Sequence, residues 1–214
     1  LDDAKAELDA AMKRDGTSGI GLYLTEVGSQ AEDERKQAVA DVRTLVMSQA
    51  EPTVEMVNVY NFVSKGTDLT AGENRYGIVR KNYAGVKPSY VAVSNMNKRL
   101  AGAKFKDGQY EREYSGTRNF SAYGFERETD YTRQYTYVVW GHTGKSANLT
   151  IKKGSTGAKA SIASGEQPVI TVASDADVKV YDMLGNELAQ SSSYTLTDEP
   201  VYVVATTQEQ HDTK

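Results

Sequence analysis

The chain has 214 residues, 39% of them apolar, enough for one large domain or two small ones with a substantial core. Its 25 Lys and Arg against 29 Asp and Glu leave a net charge of −4. No basic block is available to a phosphate backbone, so no nucleic-acid partner is expected. Cysteine is absent, which excludes disulfide and thiolate chemistry; His142 and His211 lack ligand spacing, so no metal is expected; and no apolar run reaches the roughly 18 residues of a membrane span.

The first segment, LDDAKAELDAAMKR, places Leu1, Ala4, Leu8, Ala11 and Met12 at helical spacing, with acids early and bases late, as the macrodipole favours. A turn, DGTSG, leads into the short apolar strand IGLYLTE, which ends on the carboxylate Glu26 shortly before Gly28. The polar stretch after it opens a second helix with Ala38, Val42, Leu45 and Val46 in one stripe, stopped at Glu51-Pro52. VEMVNVYNF (54–62) reads as a second strand, and residues 63–82 form a loop too long for a plain connection. Pro88 then opens a third helix, with Tyr90, Val93, Met96 and Leu100 on one side.

Helix and strand alternate up to about Gly102, which predicts parallel strands joined by helical crossovers. Beyond that point only strand runs and turns remain, including NFSAYGFERE, QYTYVVWG, ANLTIKK, PVITVAS, DVKVYDMLGNE and VYVVATT. They predict an antiparallel β-sandwich. The expected fold class is therefore α/β plus all-β, with an α/β piece over 1–102 and a β-sandwich over 103–214. Two strands alone make neither a barrel nor a doubly wound sheet, and their open edges call for a covering partner.

LYLTEVG (22–28), VNVYNF (57–62), ENRYGIV (73–79) and KPSYVAVSNM (87–96), in that order, resemble the last quarter of a retaining glycoside hydrolase of the large (β/α)-barrel clan. In that clan the seventh strand ends in the nucleophilic glutamate, and a final helix opens with Lys-Pro-(Ala/Ser)-Tyr. YVVW, VKVYDMLGNE and YTLTDEPVYVV are similar to the small β-sandwich that many of these enzymes carry after the barrel. The resemblance implies the last strand-helix units of a TIM (β/α) barrel followed by the sandwich.

It also implies that Glu26 is the catalytic nucleophile, that Gly28 leaves room for the sugar ring, and that Tyr60 and Asn61 line the same mouth to bind substrate. Thr25 would orient a neighbour. A retaining mechanism needs a second carboxyl about 5 to 5.5 Å from the first to protonate the leaving oxygen. In the clan that acid/base ends the fourth strand, which this chain lacks. Glu73, in the long loop, is the rival carboxylate and is read as a substrate-site or structural acid. No cofactor is implied. The expected partners are a carbohydrate and a missing N-terminal portion of the barrel, at least about 150 residues if a whole barrel has near 250; the isolated 214 residues should be inactive. The expected location is secreted or cell-surface, and the expected carbohydrate an oligo- or polysaccharide.

Blander readings stand beside these. Glu26 could be a helix cap or a salt-bridged strand end, and Tyr60 could simply pack in the wall. Trp140 alternates with Val138 as core, His142 reads as a turn residue, and GHTGK lacks the spacing of a phosphate loop. Tyr110, Tyr114, Tyr123, Tyr131, Tyr135 and Tyr137 form either cross-strand pairs or a carbohydrate-binding face. The alternative function is a non-catalytic carbohydrate-binding or cell-surface structural module on a degenerate hydrolase scaffold.

Overall fold

The structure is a computed structural model that describes residues 2–110, 118–163 and 165–208. Leu1, Tyr114 and His211 lie outside the described residues. Two compact units divide the chain, Leu1–Tyr90 and Val91–Lys214.

In the first unit, α1 (Asp2–Asp15) carries an i,i+4 ion pair, Lys5–Asp9 at 2.6 Å, and basic residues in its last turn. Gly16 at φ +66° lets the Thr17 N–H return to the Met12 carbonyl at 3.0 Å, a closure that only a left-handed residue permits cheaply. Its apolar stripe is only partly covered: Leu8, Ala11 and Met12 are half-buried and Ala4 is exposed.

β1 (Leu22–Val27) and β2 (Val54–Val59) pair in parallel, from Leu22 opposite Val54 to Val27 opposite Val59, with α2 (Glu34–Ala50) as the crossover. Asp33 caps α2 by accepting from the Arg35 N–H at 2.8 Å. Ala38, Val42 and Val46 are fully buried, as their spacing predicts, whereas Leu45 is half-buried; Gln37 and Asp41 share the buried side. The strand pair has an open face, on which Tyr23 and Met56 are 57% and 39% exposed. Among the described residues no helix is long and apolar enough to cross a membrane.

α3 (Pro88–Leu100) gives its first residues to this unit and the rest to the second. Its buried side is Ser89, Ala92, Asn95, Met96 and Leu100, while Tyr90 is 37% exposed. The predicted stripe through Tyr90 is thus rotated by about one position, because two polar residues take buried places.

The second unit holds two sheets. β3 (Lys104–Gln109), β4 (Phe120–Glu128), β5 (Thr132–Gly141), β11 (Val201–Gln208) and β9 (Asp177–Tyr181) form one, in the order β3-β4-β5-β11-β9. β10 (Ser193–Leu196), β6 (Ala147–Lys153), β8 (Val169–Val172) and β7 (Ser161–Ala163) form the other, in the order β10-β6-β8-β7. One hydrophobic core joins them, with Phe120, Tyr137 and Val203 from the first sheet and Leu149, Ile170 and Leu196 from the second. The sandwich is mostly antiparallel; β6 and β8 are the exception, pairing in parallel because the chain passes outward through β7 before β8 returns beside β6.

Trp140 is 2% exposed but lies outside the inter-sheet core, stacked on Tyr123 at 5.3 Å, because its register alternates with Tyr137 and Val139, which point inward. The tyrosines do not share a face: Tyr135 and Tyr137 are core residues, Tyr123 is buried on the outer side under Tyr110, and Tyr131 is 72% exposed. His142 begins a turn, its carbonyl accepting from the Lys145 N–H, yet it is buried and its Nε2 meets Ser121 Oγ at 2.8 Å.

Candidate functional site

Parallel pairing brings the C-terminal ends of β1 and β2 together. The Tyr60 N–H donates to the Val27 carbonyl at 2.8 Å, so Glu26 and the Tyr60-Asn61 pair lie at the same end of adjacent strands. Tyr60-Asn61 is a cis peptide. Glu26 is exposed, and among the described residues no hydrogen bond or ion pair engages its carboxylate. Neither a cap nor a salt bridge accounts for it. Thr25 beside it is likewise exposed, and its side-chain hydroxyl makes no hydrogen bond among the described residues.

Gly28 is fixed by the strand crossing, not by space for a ligand. A Cβ there would stand 2.0 Å from the Tyr60 carbonyl oxygen, so the two strand ends can approach only over a glycine.

Tyr60 is held on three sides. Its hydroxyl donates to Glu73 Oε2 at 3.1 Å, Tyr76 packs edge-on at 5.4 Å between ring centres, and the Lys65 ammonium lies 5.2 Å from its ring centre. Lys65 also donates to Glu73 Oε2 at 2.8 Å. The Lys65 hydrogen bond, with that of Tyr60 second, holds the Glu73 carboxyl below its usual range, and the same bond to Glu73 raises Lys65. Glu73 is therefore an anion committed to Tyr60 and Lys65, unsuited to donating a proton at neutral pH. Asn61 contributes its backbone carbonyl to the Ile78 N–H at 3.2 Å; its side-chain Oδ1 is buried and accepts no hydrogen bond among the described residues.

Behind these ends lies a polar cluster that reading apolar stripes does not find. Asp41 Oδ1 accepts from the Ser29 N–H at 3.0 Å and Oδ2 from the Ser89 hydroxyl at 2.5 Å. Gln37, one turn earlier, donates to the Tyr76 carbonyl at 2.9 Å, and its Oε1 accepts from the Lys87 ammonium at 3.1 Å. Lys87 also donates to the Arg75 carbonyl at 2.7 Å. Burial raises Asp41 to about 6, against its hydrogen bonds from Ser89 and Ser29, and burial lowers Lys87. The sequence signal was available: Gln37 and Asp41 stand four apart beside the apolar stripe of α2. Among the described residues no three His, Asp or Glu converge as a metal site.

No protein-family model and no curated protein matches the chain. Among solved structures, a family 39 glycoside hydrolase from the gut symbiont Bacteroides cellulosilyticus WH2 aligns over 89% of this chain with a TM-score of 0.61 and 17% identity. This chain spans 34% of the length of that protein. The likeness is one of backbone fold, and the chain has a glycoside hydrolase-like fold.

Proposed function

We propose that this chain is the C-terminal part of a retaining glycoside hydrolase, the last strand-helix units of a (β/α) barrel with their trailing β-sandwich. The observation that carries the reading is Glu26: an exposed carboxylate, unengaged among the described residues, at the C-terminal end of a parallel strand, next to an aromatic residue on the neighbouring strand end. That end is where barrel enzymes keep their chemistry. The fold likeness to a glycoside hydrolase supports it.

Glu26 attacks the anomeric carbon as the glycosidic C–O bond breaks, forming a glycosyl ester. The leaving oxygen takes its proton from a carboxylic acid on the polypeptide that completes the barrel. The same group, now a carboxylate, removes a proton from water as the water displaces Glu26. Tyr60 offers a ring face to the sugar, and Asn61 fixes the strand end through its backbone carbonyl, which accepts from the Ile78 N–H. Glu73 serves through Tyr60, whose hydroxyl it holds. The chemistry needs two carboxyls and no cofactor. Without the completing polypeptide the chain lacks its proton donor and is inactive.

The test is covalent trapping. The particle that purifies with this chain is treated with a panel of 2-deoxy-2-fluoroglycosyl fluorides, and its peptides are weighed. An adduct on Glu26 that vanishes in Glu26→Gln is expected. An adduct on another carboxylate, or undiminished hydrolysis by Glu26→Gln, refutes the reading.

A further inference from the structure

The buried polar cluster on α2 has a directional arrangement. Asp41 and Gln37 lie one helical turn apart, so both side chains leave the same side of α2. Asp41 reaches the Ser29 N–H, three residues beyond Glu26, and Gln37 reaches the carbonyls of Tyr76 and Gly77 at 2.9 and 3.4 Å. Tyr76 in turn packs on Tyr60. Lys87 and Ser89, on either side of Pro88, close the cluster from the start of α3.

Stability alone is a poor reason for such a design. A carboxylate 4% exposed and an ammonium-bearing residue 3% exposed carry desolvation penalties that an apolar filling would avoid. What charged groups supply instead is direction, since each oxygen of Asp41 holds one N–H or O–H at a fixed place. The backbone around Ser29 follows the strand that carries Glu26, and Gly28 is already wedged against the Tyr60 carbonyl. A shift at Ser29 is therefore transmitted to the strand ends.

We propose that Asp41, with Ser89, is a positioning residue that fixes the backbone after β1 and thereby the place of the Glu26 carboxylate, with Gln37 and Lys87 doing the same for Tyr76 against Tyr60. The part concerning catalysis rests on Glu26 being the nucleophile; the fixing of the Ser29 backbone does not.

The test pairs two variants of Asp41 in the intact particle. Asp41→Ala removes both acceptors; Asp41→Asn keeps one acceptor for the Ser29 N–H and a donor for the Ser89 oxygen. Hydrogen exchange at the Ser29 amide is expected to accelerate at least about ten-fold in Asp41→Ala and to be no faster than wild type in Asp41→Asn. The rate of covalent trapping at saturating fluoroglycoside should fall about ten-fold or more in Asp41→Ala, with its half-saturation unchanged, and Asp41→Asn should restore it. Unchanged exchange at Ser29 in Asp41→Ala overturns the proposal. So does faster exchange with an unchanged trapping rate, or equal loss in both variants. If Asp41→Ala loosens the whole of α2, Ser89→Ala decides: faster exchange at Ser29 with α2 intact supports the proposal, and no change overturns it. Failure of the wild type to label Glu26 defeats the glycosidase reading, while exchange at Ser29 still decides whether Asp41 holds that backbone.

Discussion

Replacing Asp41 by asparagine should stabilise the first unit at neutral pH and make no difference in acid. The folded carboxyl titrates at about 6, raised from 3.8 chiefly by burial, with Ser89, Ser29 and the Lys87 charge acting against the rise. Between those values the folded state holds a proton that the unfolded chain has released, so stability is full below the lower value and falls as pH rises through the upper one. At 1.36 kcal/mol per unit, a rise of roughly two units corresponds to about 3 kcal/mol lost by pH 7. Asparagine resembles the protonated acid, accepting from the Ser29 N–H and donating to the Ser89 oxygen, and carries no charge. Asp41→Asn should therefore match wild type near pH 4 and exceed it by about 3 kcal/mol at pH 7. Native-state hydrogen exchange at the amides of Ala38–Val46, corrected for intrinsic rates and followed across denaturant at pH 4 to 7, reads this in the first unit alone. A gap of the same size at pH 4 and 7, or asparagine less stable at pH 7, would show that Asp41 is ionised in the fold with no net penalty and refute the reasoning.

Three further outcomes follow from other contacts. Gly28→Ala places a Cβ 2.0 Å from the Tyr60 carbonyl oxygen and should destabilise the first unit by about 3 kcal/mol or more, read by the same exchange experiment; a loss under 1 kcal/mol would return Gly28 to a ligand-spacing role. Gln37→Leu leaves the Tyr76 carbonyl without its donor and Lys87 without one acceptor, and should lower stability by about 2–3 kcal/mol in denaturant titrations. Arg99→Leu removes a guanidinium 3.3 Å from the Tyr181 ring centre and 5.9 Å from that of Tyr202; unfolding of the second unit, followed by the single tryptophan Trp140, should shift by about 1–2 kcal/mol.

The parts of the fold legible in the sequence were those with a local physical cause. Helical spacing located α1 and α2, Pro88 marked the start of α3, and Gly and Asp turns separated the strands of the second unit. β3 was harder to see, since KFKDGQ alternates poorly and carries a glycine and two lysines. The parallel pairing of β6 with β8 is a matter of long-range register, which no local pattern encodes. The place of Glu26 at the end of β1 was legible because the apolar run stops there. The bonds from Lys65 and Tyr60 to Glu73 were not, because they depend on how the loop brings residues 8 and 13 apart onto one carboxylate oxygen. Gln37 and Asp41 escaped notice because polar residues are ordinarily assigned to solvent, and only the partners brought by folding reverse that assignment.

The two units differ in how they close their cores, and the difference bears on where chemistry can reside. The sandwich buries both inner faces within one chain segment, with Phe120, Leu149, Ile170 and Val203 each fully enclosed. The β1-β2 pair leaves Tyr23 and Met56 open on one face, where they would each contribute about 1 kcal/mol if covered. An apolar sheet face left open is a surface on which another chain can associate. Glu26 and Tyr60 sit at the end of that same pair, so on the proposed reading a polypeptide that covers the face would also be the one placed to supply the proton donor. Completion of the core and completion of the catalytic pair would then be one event. A preparation in which the open face is covered but no fluoroglycoside labels Glu26 would separate the two and leave the strand pair as a purely structural seam.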